Sequence, residues 1–94
     1  MNIGSLYQVK KYFWLLFPTK EIISSSGAGD SAAAAAAWYS RKYNCNVTYF
    51  SHDTFVVFLE EDGNLKKFLT SEGLIGWTQV NKAWLGCFEE VKSE

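Results

Sequence analysis

The chain has little proline, histidine or cysteine, and its charges nearly cancel: one proline, one histidine, two cysteines and a formal net charge of −1. Cys45 and Cys87 lie far apart, so the paired ligand spacing of a zinc site is missing. A near-neutral chain lacks the basic excess that broad nucleic-acid binding usually needs. No apolar run approaches the ~20 residues of a membrane-spanning helix. We therefore expect no metal, no cofactor and no membrane span.

The short apolar run at residues 12–17 bears on the expected compartment. It follows two lysines, as in a signal peptide, but Pro18-Thr19-Lys20 stands where a small-residue cleavage site would be needed. Without a secretory signal, we expect a cytoplasmic protein with two reduced thiols. A disulfide between Cys45 and Cys87 is the alternative.

A thiol-dependent enzyme would need His52 beside Cys45 or Cys87, with a third group to orient the imidazole. His52 lies in an apparent turn without a local motif, which favours a solvated side chain. Gly27-Ala28-Gly29 lacks both the third glycine of a dinucleotide-binding loop and the lysine-serine pair of a P-loop. We therefore predict that the protein is not an enzyme.

Aromatic residues are abundant, with four Trp, five Tyr and seven Phe, and they favour a globular fold over disorder. Residues 1–94 are short enough to form a single domain. Residues 3–17 favour extended structure, and Lys10-Lys11 interrupts the alternation, which predicts a bulge or two short strands. Within residues 12–17, either both faces are covered or some aromatic side chains are exposed for a partner.

One helix is predicted at about residues 30–43. Asp30 or Ser31 is a suitable N-cap, six alanines follow, and the cations Arg41 and Lys42 suit the negative end of the helix dipole. Asn44 is a suitable C-terminal stop. The small alanine side chains allow this helix to pack closely on its own sheet, or on another copy of the chain.

Residues 53–80 predict three strands joined by two tight turns, and the register of the first turn has two solutions. A two-residue turn at Asp62-Gly63 sets Leu59 opposite Lys66, whereas a three-residue turn ending at Gly63 sets Leu59 opposite Leu65. We favour the second, because it gathers five apolar residues on one core-forming face. Those residues are Phe55, Val57, Leu59, Leu65 and Leu69.

The next turn, Ser71-Glu72-Gly73, has the same form and sets Ile75 opposite Leu69 and Trp77 opposite Lys67. Gly76 then falls opposite Phe68 on the other face. Further strands are predicted at residues 46–50 and 87–91, with a turn at residues 51–53 and Phe88 in the core.

Four short motifs resemble the layout of SH3-like small β-barrels of bacterial and phage type. They are Ser5-Leu6-Tyr7, Asp62-Gly63, Gly73-Leu74-Ile75-Gly76-Trp77 and Phe88-Glu89-Glu90-Val91. The resemblance covers roughly residues 3–18 and 46–91. It implies a mainly β barrel of five to six antiparallel strands, with residues 21–45 as an inserted loop and helix.

In the peptide-binding members of the SH3 family, the positions that match Tyr7 and Trp77 line a groove for proline-rich ligands. The family's acidic first loop and late proline are absent, so we do not expect recognition of proline-rich peptides here. Fold resemblance alone does not assign a function.

A protein-interaction or assembly module, which could self-associate, is the favoured function, because Trp and Tyr dominate protein–protein hot spots. One or two of the four tryptophans should remain exposed. The candidate partner-binding residues are Tyr7, Trp14, Trp38, Trp77 and Trp84.

Nucleic-acid binding by a small barrel is the alternative function, because mixed basic and aromatic clusters can neutralise phosphates and stack bases. The candidate residues for that function are Lys10, Lys11, Arg41, Lys42, Lys66 and Lys67.

Overall fold

The computed structural model describes residues 1–23 and 32–92, and the elements below belong to that part of the chain. The fold is mainly β, with antiparallel sheets and one α-helix, as predicted. The strands are β1 (Leu6–Val9), β2 (Trp14–Leu16), β3 (Thr48–Phe50), β4 (Phe55–Asp62), β5 (Leu65–Thr70), β6 (Ile75–Gln79) and β7 (Phe88–Glu90). The helix α1 is Ala32–Tyr43, and two short 3-10 helices are Lys20–Ile22 and Lys82–Cys87.

Five strands form one antiparallel sheet in the order β6-β5-β4-β1-β7. The β5–β6 turn confirms the prediction: Gly73 has a positive φ of 87°, and the strands pair Leu69 with Ile75 and Lys67 with Trp77. Glycine is favoured at such a position because a Cβ atom strains the left-handed backbone. The meander β4-β5-β6 therefore forms the larger half of the sheet.

The favoured register of the β4–β5 hairpin is wrong, and so is its alternative. Asp62 pairs with Leu65, so the loop is Gly63-Asn64, and the register shifts at a bulge between Phe58 and Glu60. The glycine that provides the positive φ stands first in this two-residue loop.

The shift at the bulge decides which face of the hairpin is buried. Val56, Phe58 and Phe68 point into the core, and the predicted core face that carries Phe55 and Leu69 lies on the exposed side.

A second sheet, β2-β3, covers the inner face of the first. Trp14, Leu16 and Phe50 from this small sheet join the main core. Aromatic rings fill much of it: the Phe68 and Phe88 rings stack at 5.3 Å between centroids. Phe88 is therefore a core residue, as predicted.

The two sheets are joined where Phe17, just beyond β2, pairs with Trp77 of β6. The amide of each residue donates to the carbonyl of the other, at 2.8 Å from Phe17 and 2.7 Å from Trp77. A Cβ atom on Gly76 would lie 2.8 Å from the carbonyl oxygen of Phe17. Gly76 is therefore needed for the close approach of the crossing backbone, rather than to leave room for the Phe68 ring.

The barrel that the resemblance implies is not closed in the described residues. β6 and β7 are the two edges of the five-stranded sheet and are not hydrogen-bonded to each other. The physical reason is that β6 uses its outer edge to bind Phe17.

Helix α1 packs on the opposite face of the β2-β3 sheet and makes a third layer. Ala35, Ala36 and Tyr39 are buried there against Leu15 and Phe17. Small side chains let the helix axis approach the sheet closely, so the alanine helix packs on its own domain. No helix in the described residues is long and apolar enough to span a membrane.

The C-terminal end of α1 can be compared with the predicted end of the helix. Asn44 has a positive φ of 51°, and the Cys45 amide donates to the Ser40 carbonyl at 3.1 Å. This is the left-handed C-terminal cap predicted at Asn44. The predicted N-cap, Asp30 or Ser31, lies outside the described residues.

The break predicted at Lys10-Lys11 is present as two short strands, β1 and β2. The backbone bends at Lys11-Tyr12, and Tyr12 has a positive φ of 65°. The predicted turn before β4 is also present, with Asp53 at a φ of 69°. Cys45 and Cys87 are both free thiols in this structure.

Gly76→Ala should destabilise the fold by about 1–3 kcal/mol, because the added methyl group must displace the backbone of Phe17. Urea denaturation monitored by tryptophan fluorescence measures this as a lower midpoint. Gly86→Ala is the matched control, since a Cβ atom there meets nothing within 4 Å. Equal midpoints for the two variants would contradict the role given to the crossing.

Candidate protein-interaction surface

Three of the five candidate partner-binding aromatics are buried by the fold. Trp14 lies in the main core, and its Nε1 donates to the Lys11 carbonyl at 3.1 Å. The Tyr7 hydroxyl accepts a hydrogen bond from the Asn2 backbone amide at 2.6 Å. A partner therefore cannot reach these two rings while the fold is intact.

Trp77 is buried on the outer side of the five-stranded sheet by charged side chains. The ammonium groups of Lys20 and Lys67 lie 5.5 Å and 5.9 Å from its ring centroid. Lys20 is held there by Asp62, whose carboxylate lies 2.8 Å from Nζ and raises the pKa of the lysine through this hydrogen bond. Trp77 is thus covered by two ammonium groups that make cation–π interactions with its ring.

Trp38 and Trp84 are the two tryptophans that remain exposed, at 49% and 40%, as the aromatic excess predicted. Trp84 lies edge-on against buried Trp14 at 5.7 Å, whereas Trp38 lies on α1 under the Lys42 ammonium at 4.9 Å. The two rings contact different elements and do not form one surface.

The six candidate nucleic-acid-binding cations are not gathered into a free basic patch. Lys10 lies 3.8 Å from Glu89, and Lys67 lies 3.7 Å from Glu60. Lys42 covers the Trp38 ring, and Lys11 and Arg41 are exposed on different elements.

Lys66 points to the inner side of the sheet and is only 5% exposed. Its Nζ lies 2.6 Å from Glu61 and 5.7 Å from the Phe58 ring centroid. The hydrogen bond from Lys66 lowers the pKa of the Glu61 carboxyl. Lys66 is therefore held in an ion pair with the exposed Glu61 and is not presented to a ligand.

A row of exposed apolar side chains crosses the outer face of the five-stranded sheet. Register places Leu6 beside Val57, Val57 beside Leu69, and Leu69 beside Ile75. Val91 continues the row past β7, where its amide donates to the Leu6 carbonyl at 2.9 Å. We call these five residues the outer-face row. At the usual strand spacing it extends across about 19 Å.

The outer-face row is accessible along its length. Leu6, Leu69, Ile75 and Val91 are between 36% and 54% exposed, and Val57 is half-buried. Phe55, which pairs with Gln8 on the same face, is also exposed. Contiguous apolar surface of this kind marks interaction sites.

Sequence reasoning identified most members of this surface but assigned them to the core. Phe55, Val57, Leu69 and Ile75 were grouped correctly by alternation. The assignment was wrong because β4 is apolar on both faces, and the rings of Phe58 and Phe68 occupy the true core. The contributions of Leu6 and Val91 follow from strand order, which the local pattern does not reveal.

His52 is exposed and lies 4.0 Å from Asp53, its sequence neighbour. Cys87 is buried in the main core, and Cys45 is half-buried beside α1. Within residues 1–23 and 32–92, no three His, Cys, Asp or Glu side chains are grouped to hold a metal ion.

Comparison of the chain with protein-family models, with curated proteins and with solved structures gave no match.

Glu61→Gln should reduce the dependence of stability on acid pH. A carboxyl whose pKa is lowered by folding stabilises the fold above its unfolded pKa, which is near 4.5, and this contribution is lost as pH falls through the lower folded pKa. Thermal midpoints measured from neutral pH down to pH ~3 should therefore fall more steeply for the wild type than for the variant.

Glu60→Gln is the matched control for that measurement, because Glu60 faces Lys67 at 3.7 Å and both side chains are partly solvated. This variant should keep the acid dependence of the wild type. If Glu61→Gln also keeps it, the ion pair with Lys66 does not stabilise the fold as described.

Proposed function

We propose that this domain is a non-enzymatic protein-interaction or assembly module that binds through the outer-face row. The observation that carries the proposal is the continuity of this apolar row, which crosses β6, β5, β4 and β1 and continues at Val91, just past β7. The partner is a protein with an apolar surface of its own, either a different protein or a second copy of this chain.

The surroundings of the row support a protein partner. Gln8, Glu89 and the Glu60–Lys67 pair lie around it on the same face, so an apolar centre is bordered by polar groups of both signs. Protein interfaces have this arrangement, with a dry centre and a solvated rim. Full burial of each exposed aliphatic side chain would contribute up to about 1.5–3 kcal/mol before the costs of association.

The SH3-like character of the domain is part of the proposal. All four motifs that resemble SH3-like barrels lie in or beside the five-stranded sheet, at β1, the β4–β5 turn, β6 and β7. The burial of Tyr7 and Trp77 argues against the groove for proline-rich peptides. The proposed surface is therefore the sheet face and not the family's usual ligand site.

Nucleic-acid binding has less support. Lys10, Lys66 and Lys67 each face a carboxylate, so their charges are largely neutralised within the domain. The absence of an enzymatic function is proposed from the isolation of His52. A cytoplasmic location is proposed with it, in keeping with the free thiols of Cys45 and Cys87.

Ile75→Glu should abolish partner binding and leave the fold intact, because Ile75 is 54% exposed and is the member of the row on β6. Exposed substitutions change stability by about 0.5 kcal/mol or less. The first measurement is co-purification of partners with the tagged chain from its native source, with identification by mass spectrometry. The second is amide hydrogen exchange, in which the purified partner should protect β4–β6.

Ile3→Glu is the matched control, since Ile3 is an exposed isoleucine outside the outer-face row. A partner retained by the wild type and by Ile3→Glu, but lost with Ile75→Glu, supports the proposal, and sedimentation shows whether that partner is the chain itself. Identical proteins with all three chains, together with a monomer in solution, would contradict it.

A further inference from the structure

An open groove of about 620 Å³ lies along the edge of β3 that does not pair with β2. Helix α1 forms one wall, through Ala33, Ala36, Ala37 and Ser40. The opposite wall comes from Thr54 and from Glu72 and Leu74 of the β5–β6 turn. Its volume is within the range of ligand-binding clefts.

The backbone amide and carbonyl of Tyr49 are not used in the hydrogen bonds between β3 and β2. Phe17 directs its amide and carbonyl to Trp77, so Leu15, two residues earlier, directs its own groups to the same side. Leu15 stands opposite Tyr49 in the β2-β3 pair, which is therefore a non-hydrogen-bonded pair. The amide and carbonyl of Tyr49 consequently point away from β2 and into the groove.

Several of the neighbouring backbone groups already have partners. Ser40 Oγ accepts the Val47 amide at 2.9 Å, and its hydroxyl donates to the Ala36 carbonyl at 2.7 Å. The Ser51 carbonyl accepts the Thr54 amide at 3.2 Å. In the described part of the chain, Tyr49 is thus the residue of β3 that offers both a donor and an acceptor to an added strand.

The alanine wall leaves space beside this edge. Ala36 is buried against the β2-β3 sheet, whereas Ala33 and Ala37 are exposed and end at Cβ. A strand that paired with Tyr49 would direct every second side chain towards α1. An aliphatic or aromatic side chain fits there, because no side chain of the helix extends beyond a methyl or hydroxymethyl group on this wall.

One end of the groove carries a negative charge. Of the described residues that line it, Glu72 alone carries a charge at neutral pH. A lysine or arginine on the bound segment would complement this exposed carboxylate.

We propose that the groove binds an extended peptide segment of another protein by β-augmentation. The segment pairs with Tyr49 in the groove, places an apolar side chain against Ala33 and Ala37, and places a cation near Glu72. A peptide fits better than a second copy of β3, because a second copy would bring its own α1 to the same edge. This site is separate from the outer-face row, which lies on the far side of the five-stranded sheet.

The probe is a library of short random peptides, selected on the full chain, from which the enriched sequences are synthesised. We expect enriched peptides that alternate apolar and polar residues and contain lysine or arginine. Binding should slow hydrogen exchange at the Tyr49 amide by about tenfold or more, as one new backbone hydrogen bond implies. Nuclear magnetic resonance of the labelled chain measures this residue directly.

Three variants test the two walls. Ala37→Phe should block the groove and abolish peptide binding, whereas Ala34→Phe, on α1 outside the groove lining, should retain it. Glu72→Lys, which lies in an exposed turn and does not depend on helix packing, should change the selected peptides from basic to acidic. Ile75→Glu should leave peptide binding unchanged, so failure of this site and failure of the outer-face row are distinguishable.

Three results would overturn the proposal. One is an enriched peptide that binds without slowing exchange at the Tyr49 amide. Another is a selection from which no peptide binds the wild-type chain. The third is protection of Tyr49 that rises with protein concentration alone, which would show that a second copy occupies the edge.

Discussion

The close crossing of two backbones at Gly76 is the constraint on which the rest of the structure depends. Phe17 and Trp77 exchange two hydrogen bonds there, at 2.8 Å and 2.7 Å, and only the absence of a side chain on Gly76 allows that approach. The crossing holds the β2-β3 sheet against the inner face of the five-stranded sheet. It also sets the position of α1, which packs on the other face of β2-β3. Three layers and two cores follow from this one contact.

The same crossing bears on both surfaces that we propose for binding. Because β6 uses its outer edge to bind Phe17, the five-stranded sheet stays open. Within residues 1–23 and 32–92, neither the second sheet nor α1 packs on its outer face. Because the β2-β3 sheet is filled on its β2 side, the only edge it presents to solvent among the described residues is that of β3. An apolar face and a strand edge are different kinds of site. The apolar face offers non-directional hydrophobic contact, whereas the strand edge offers a directional hydrogen-bond donor and acceptor at Tyr49.

Several lysine side chains form ion pairs with carboxylates of the same domain. Lys66 is buried and bound to Glu61, and Lys20 is bound to Asp62 above the Trp77 ring. A buried or closely paired cation contributes little to long-range attraction of a polyanion, since its field is cancelled by its partner. This distribution is the physical reason that a protein partner is favoured over a nucleic acid.

Local signals in the sequence determined much of the secondary structure. Alanine propensity and Asn44 predicted α1, Gly73 predicted the β5–β6 turn and its register, and Lys10-Lys11 predicted the break between β1 and β2. Each depends on the conformation of a few adjacent residues. Tertiary structure decided which face of β4 and β5 is buried, because β4 is apolar on both faces and the bulge after Phe58 shifts its pairing with β5. It also decided that Tyr7 and Trp77 are covered and that β3 keeps a free edge, since these depend on contacts between residues far apart in the chain.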